Sequence, residues 1–392
     1  MKKQQIRKTP YHSLRLRSLA QGCKQCVRGE KGVLYITGVC ERNCSFCPTA
    51  DEKKNADVMF INEQQITTTS FAKQWNTIRV ELDRQGARGI GITGGNPLLR
   101  LKRTTSHIKK LKATYGPTFH IHLYTTLTPL TSRDKLSALY RAGLDEIRFH
   151  PDLDSSEQWH ILEEIIDSRW KWDVGIEIPL LPDKKKQTRA LLDYFSPLVD
   201  FINLNELEMA DNSFTDFSEL GYHCKDDSSY AVKKSFELGV DCLIRQEKKK
   251  ETPKVHLCTA ELKNTVQLGN RIKRTAHHTK QAHDIVTPDG MLRRGAIYHP
   301  DCTPSFSYKK TLQQLSSAKR RRIEQELSTF YQELCLSNPE SADQFTFDSA
   351  MLRILTHPAL AKRMGKTIAP LKAAEIIEYP TSDHLLLEVT FF

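Results

Sequence analysis

GVLYITGVCERNCSFCP (32–48) is the stretch on which the fold turns. Residues 32–38 form a short apolar run bounded by glycines and read as a buried parallel strand. Three cysteines follow it in one loop, Cys40, Cys44 and Cys47, spaced C-x3-C-x2-C. Downstream the same strand–helix alternation recurs. Strands are expected over 87–95, 119–126, 145–151, 172–182 and 199–208. Between them, Phe71, Trp75, Ile78 and Leu82 mark a helical face, 106–116 and 134–143 read as helices closed by Gly116 and Gly143, and helices are expected around Trp159–Ile166 and over 188–195. Six such units imply right-handed crossovers and a parallel sheet with helices outside, either an open partial barrel or a doubly wound sheet. In a barrel, functional groups gather at the carboxyl ends of the strands.

Alternation favours the barrel. Side chains two apart share a strand face, so Arg148 goes with His150, Gly175 with Glu177, Asn203 with Asn205, and His120 with His122, Tyr124 and Thr126. Polar groups at matching positions on consecutive strands are costly in a sheet covered by apolar layers on both faces. An interior lined with ligand-binding groups accounts for them.

The expected organisation is an N-terminal arm over 1–30, a barrel over 31–246 and a mixed α+β extension over 247–392, with EKKKETPK (247–254) as linker. In the extension, 275–284 reads as a polar loop, residues 310–336 as helical, and 384–392 as an apolar strand. No apolar run approaches the ~20 residues of a spanning helix, and MKKQQIRKTP lacks the apolar core of a secretory signal. The expected location is cytoplasmic, without a membrane partner. An excess of 58 Lys and Arg over 47 Asp and Glu permits an anionic partner such as RNA but does not require one.

Two metal readings fit the cysteines. Cys23, Cys26, Cys44 and Cys47 match the C-x2-C…C-x2-C spacing of a structural zinc ribbon. Cys40, Cys44 and Cys47 instead suit a [4Fe–4S] cluster with one iron left open, the iron–sulfur counterpart of a catalytic zinc with a vacant position. The zinc reading leaves Cys40 unexplained.

CERNCSFCP (40–48), with an aromatic residue before its last cysteine and a strand in front of it, resembles the signature of the radical S-adenosylmethionine (SAM) superfamily. The resemblance implies a partial (β/α)6 barrel, a [4Fe–4S] cluster on Cys40, Cys44 and Cys47, SAM chelating the open iron, and an external electron donor. Reductive cleavage of SAM would yield a 5′-deoxyadenosyl radical that takes hydrogen from a substrate. Phe46 would then pack near the adenine. ITGGNP (92–97) resembles the family's Gly-Gly-Glu-Pro segment, which holds the methionyl ammonium, with Gly94 and Gly95 suited to close backbone approach. Asn96 stands where an acid is usual; an amide oxygen accepts a weaker hydrogen bond than a carboxylate does. By strand order and chemistry, Arg148 is a candidate for the methionyl carboxylate, and Glu177 and Asn205 for ribose hydroxyls.

More narrowly, residues 22–48, NLNELEMAD (203–211) and HLCTAELKNTVQL (256–268) resemble archaeal radical SAM proteins related to pyruvate formate-lyase activating enzymes. Such likeness leaves the substrate open between protein, RNA and metabolite, with a glycyl-radical partner as one candidate. The alternative of a different class is a zinc-stapled RNA-binding protein, motivated by lysines at 184–186 and 248–250 and by KRRR (319–322); a radical SAM enzyme acting on RNA joins the two. Cys23 and Cys26 either form a second site with Cys258, an auxiliary iron–sulfur cluster or zinc, or remain unligated thiols. His277, His278 and His283 read as a solvated face.

Overall fold

Alternation along each strand decides which face meets the helices. The computed structural model describes residues 5–130, 132–166, 170–215, 217–305, 308–337 and 343–392, and the chain divides into two compact units, Met1–Arg271 and Ile272–Phe392. In the first unit seven strands run parallel: β1 (Lys31–Tyr35), β2 (Gly89–Thr93), β3 (His120–Thr125), β4 (Glu146–Phe149), β5 (Asp173–Leu180), β6 (Phe201–Glu206) and β7 (Lys254–Cys258). They lie side by side in chain order. Antiparallel strands extend both ends, Leu14–Leu16 and Arg7–Lys8 beyond β7, and Met59–Ile61 and Gln64–Ile66 beyond β1. The two ends do not pair with each other among the described residues, so the sheet is an open, partial barrel.

One face of these strands is apolar throughout. Ile90, Ile92, Ile121, Leu123, Ile147, Phe149, Ile176, Ile178, Ile202, Leu204, Val255 and Leu257 are all buried in one core. Each contributes roughly 1.5–3 kcal/mol by leaving water. They share that core with Ile78 and Leu82 of α2 (Phe71–Gln85), Ile108 and Leu111 of α3 (Leu101–Tyr115), Leu136 and Leu139 of α4 (Asp134–Ala142), Leu191, Leu192 and Phe195 of α5 (Lys185–Phe195), and Leu238 and Leu243 of α6 (Ser235–Glu247). The opposite face carries His120, His122, Arg148, Asn203 and His256, all buried as well.

β7 is the main departure from the expected six strands. Its register on β6 runs from Phe201 opposite Lys254 to Asn205 opposite Cys258. The expected barrel boundary at 246 is therefore too early. A five-residue strand directly after a lysine-rich stretch offers too short a period to stand out from the linker, although Val255 and Leu257 belong to the core. The N-terminal arm is likewise part of the sheet, because Leu14–Leu16 pairs with β7. Ahead of β1 lies an unexpected short helix, α1 (Gln21–Val27), which carries Cys23 and Cys26.

The second unit is antiparallel, in the order Thr346–Asp348, β9 (Arg353–Thr356), β8 (Leu292–Tyr298), β10 (Lys372–Glu378) and β11 (Leu386–Phe391), with Ile285–Val286 paired to β8. Its interior holds a charge cluster: Glu378, fully buried, accepts from Arg353 at 2.7 and 2.9 Å and from Arg294 at 2.7 Å. The polar stretch expected as a loop begins inside a helix, Leu268–Thr279. His277 and His278 are exposed as expected, but His283 is buried.

His256 of β7 is 2% exposed, with Nε2 3.1 Å from Ser13 Oγ. Burial, helped by Arg148 and opposed by Glu177, holds its pKa down to about 4. The unfolded chain, with an imidazole pKa of ~6.5, then takes up the proton first as pH falls, so stability drops from about pH 6.5 downward. Between pH 7 and 5 this one group removes about 2 kcal/mol. Urea unfolding at the two pH values should show a smaller loss in His256→Gln than in the wild type, by about that amount; equal losses would contradict the assignment.

Candidate functional site

The chain leaving β1 runs against the turn that ends β2, and two glycines permit the contact. Gly94 has φ of 143°, and a side chain there would meet the Thr37 carbonyl oxygen at 2.2 Å; at Gly95 one would meet the Val39 carbonyl oxygen at 2.3 Å. The Gly95 N–H donates to Thr37 O at 2.7 Å and the Asn96 N–H to Val39 O at 2.8 Å. Asn96 itself is fully buried (0% exposed) and both ends of its amide are engaged. Its Oδ1 accepts from the Leu98 N–H (3.0 Å) and Thr125 Oγ1 (2.8 Å); its Nδ2 donates to Thr126 Oγ1 (2.9 Å) and Glu41 Oε1 (2.8 Å). That is the full hydrogen-bonding capacity of an asparagine side chain.

The cysteine loop is pinned at further points. Arg42 donates to the His150 carbonyl (3.0 Å) and pairs with Asp152 (3.1 Å), both just after β4. Asn212, after β6, donates to the carbonyls of Cys47 (2.9 Å) and Thr49 (3.2 Å), while the Ser213 N–H donates to Asp51 (3.0 Å). The Cys47 N–H closes a turn on Cys44 O at 3.2 Å. Phe46 packs on the His150 ring with centroids 5.7 Å apart. Cys40, Cys44 and Cys47 are all half-buried. Burial raises the pKa of Cys40, and pushes that of Cys44 up to about 11 against the pull of Arg42.

Among the described residues no three Cys, His, Asp or Glu side chains converge closely enough to hold a metal ion. The donor chemistry nevertheless fits an iron–sulfur group. Three soft ligands sit on one eight-residue loop (40–47), fixed from the carboxyl ends of β2, β4 and β6. Thiols are ionised outright once a metal cation coordinates them.

Deeper in the barrel, the polar face closes on itself around Arg148, which is 2% exposed. Its Nε donates to Glu146 at 2.6 Å, and Nη1 donates to Glu177 Oε2 (2.6 Å) and Tyr124 Oη (3.3 Å). Burial alone would disfavour the guanidinium, but Glu146 and the other anions hold its pKa well up. Glu177 also accepts from Asn203 and Asn205, each at 3.0 Å. Burial would raise the Glu177 pKa, yet Arg148 and the two amides bring it below the ordinary value. Gly175 leaves the room for this: a side chain there would lie 2.2 Å from the Phe201 ring, over which the Arg148 guanidinium sits at 5.3 Å.

α1 fills the other side of the same network. The Gly22 N–H donates to Glu146 Oε2 (3.1 Å), and Gln25 donates to the Arg88 carbonyl (3.1 Å) at the start of β2. Cys23 accepts from the Asn203 amide at 3.0 Å and lies 3.5 Å from Arg148 Nη2. Burial pushes its pKa up to about 11. Cys258 lies 3.7 Å from Gln267 Nε2. The Cys23 thiol, one of the three candidate ligands of a second site, is engaged as a buried polar contact inside the barrel.

Two further expectations change. Arg148 is held by Glu146, Glu177 and Tyr124 rather than offered to a ligand, and Asn96 is spent on protein groups. Sequence reasoning passed over Glu41, Arg42 and Asn212. Glu41 and Arg42 adjoin the cysteines, which was a signal; nothing in the sequence marks Asn212 as their neighbour.

A model of the radical SAM superfamily matches residues 34–178. A Methanocaldococcus jannaschii protein named "Putative glycyl-radical enzyme activating enzyme MJ0021" is 35% identical over 288 residues, covering 71% of this chain and 73% of that protein. The chain belongs to the radical SAM superfamily. It is accordingly an enzyme of that class, whose members use a [4Fe–4S] cluster and SAM. Two solved structures of the radical SAM methyltransferase TsrM from Kitasatospora setae are also similar. One, with tryptophan and a SAM analogue, is 14% identical over 49% of this chain and 40% of that one (TM-score 0.34). The other, with cobalamin and a [4Fe–4S] cluster, is 12% identical over 68% and 57% (TM-score 0.36). The chain spans less than two thirds of either, and neither likeness bears on the site. No helix among the described residues is long and apolar enough to cross a membrane.

Removing Arg148 leaves fully buried Glu146 and half-buried Glu177 without their shared guanidinium partner. Arg148→Leu should cost this radical SAM barrel about 3–5 kcal/mol in denaturant unfolding, the range for breaking a buried ion pair from one side. Adding Glu146→Gln should return part of that loss. A single variant as stable as the wild type would show that the network is not what holds the interior.

Proposed function

We propose that Cys40, Cys44 and Cys47 hold the [4Fe–4S] cluster, leaving one iron for SAM, and that the enzyme generates a radical on a partner protein. Three protein ligands for four irons provide the open position. The observation that carries this reading is a loop bearing three thiols and anchored from the carboxyl ends of three strands. It occurs in a chain 35% identical to one named for glycyl-radical activation. When bound and reduced by an external donor, the cluster and SAM supply a 5′-deoxyadenosyl radical that abstracts hydrogen from substrate.

The chain's own residues position that chemistry. Phe46, braced by His150, offers an apolar ring edge for the adenine. Gly94 and Gly95 keep the β2 turn tight against the cysteine loop. Asn205, half-buried on β6, and Glu177 provide polar groups for the ribose; Arg148 fixes Glu177 in place. A glycyl-radical enzyme is the partner that best matches the named relative.

Anaerobically reconstituted protein, reduced with dithionite, should convert SAM to 5′-deoxyadenosine, measured chromatographically. Cys44→Ala should lose cluster iron and bring product to background. A Cys44→Ala protein that keeps both would sink the ligand assignment. Adding a glycyl-radical enzyme as substrate should produce its EPR doublet; product formation stimulated by RNA or a metabolite and never by protein would overturn the partner class.

A further inference from the structure

Glu41 has no role in the reading above, yet it is the acidic side chain built into the β2 turn. It is exposed, but its Oε1 is fixed by two donors, Asn96 Nδ2 at 2.8 Å and the Thr126 hydroxyl. Both contacts fall on the same oxygen, and among the described residues Glu41 has no ion-pair partner. Nearby charges are already matched: Arg42 with Asp152, and Arg100 and Arg103 with Asp57. A carboxylate tethered through one oxygen next to Cys40, with no ion-pair partner among the described residues, is arranged to receive a cation.

We infer that Glu41 supplies the negative charge that receives the α-ammonium of SAM, with Asn96 acting as its positioning residue. The inference rests on the proposed use of the cysteine loop. Asn96 cannot take that part itself, since its amide already makes four hydrogen bonds to protein. The amide is also the form the arrangement needs at position 96. An aspartate there could still accept from Leu98 and Thr125 but would set a second carboxylate against Glu41, and like charges in contact disfavour each other's ionisation. Asparagine at 96 and glutamate at 41 are thus one solution: the buried member donates, and the exposed member carries the charge.

The test is SAM binding by isothermal titration calorimetry on anaerobically reconstituted, unreduced protein, with iron content measured alongside. Glu41→Gln keeps the shape and removes the charge. Its iron content should match the wild type, while SAM binds roughly tenfold to a hundredfold more weakly, the range for a hydrogen bond to a charged group. A SAM analogue lacking the α-amino group should bind wild type and Glu41→Gln equally. Unchanged SAM affinity in Glu41→Gln, or equal losses for SAM and the amino-free analogue, would overturn the assignment to Glu41 while leaving the cysteine loop's role intact. Wild-type protein that takes up iron but no SAM would instead overturn the functional reading, and this inference with it.

Discussion

The site depends on one buried amide. Asn96 joins three pieces of chain through four hydrogen bonds: the cysteine loop through Glu41, the end of β3 through Thr125 and Thr126, and its own turn through Leu98. A typical hydrogen bond contributes only about 0.5–1.5 kcal/mol net, but a buried donor or acceptor left unmatched costs about 1–3 kcal/mol. The arrangement therefore has little freedom to drift, since losing one partner exposes the cost of the others. The backbone contacts from Gly95 and Asn96 to Thr37 and Val39 act in the same direction. A loop of three thiols without such support would be a flexible chelator; here its backbone is set before any cofactor arrives.

Beneath the loop, the barrel is inverted relative to an ordinary sheet interior. Aliphatic residues face the helices, and the inner face holds Arg148 between Glu146 and Glu177. Such a network is expensive to desolvate and gains its return only when every member is matched. α1 completes the matching from below through Gly22 and Cys23, and closes the barrel at the amino end of β2 through Gln25. The cysteine loop lies at the opposite, carboxyl end of the strands, where parallel α/β architectures place their chemistry. The two groups of N-terminal cysteines thus serve different ends: Cys23 packs the interior, and Cys40, Cys44 and Cys47 stand at its mouth.

Six of the seven parallel strands and the cysteine loop were legible because each carries a local signal, either an apolar run or a fixed spacing. The inward polar face was legible for the same reason, since a period of two is visible in EIRF and FINLNE (146–149, 201–206). β7 was not, because KVHLC follows a lysine run and its partner lies some fifty residues earlier in the chain. The surroundings of Cys23 were not legible for a related reason. Its C-x2-C spacing to Cys26 is a local pattern, whereas the contacts that define it, Asn203 and Arg148, are set by tertiary packing. Asn96 is the most instructive case. Sequence comparison marks it as a weakened acid, while the structure shows its amide holding an acid supplied from position 41.

The proposed site requires that the Cys40–Cys47 loop bind a cluster that SAM approaches directly. Low-temperature EPR of the reduced, anaerobically reconstituted protein, recorded before and after addition of SAM, addresses this without knowledge of the substrate. A [4Fe–4S]+ signal whose g-values shift when SAM is added is expected, since SAM would coordinate the open iron. A cluster signal that SAM leaves unchanged, or reconstituted protein with no such signal at all, would contradict it.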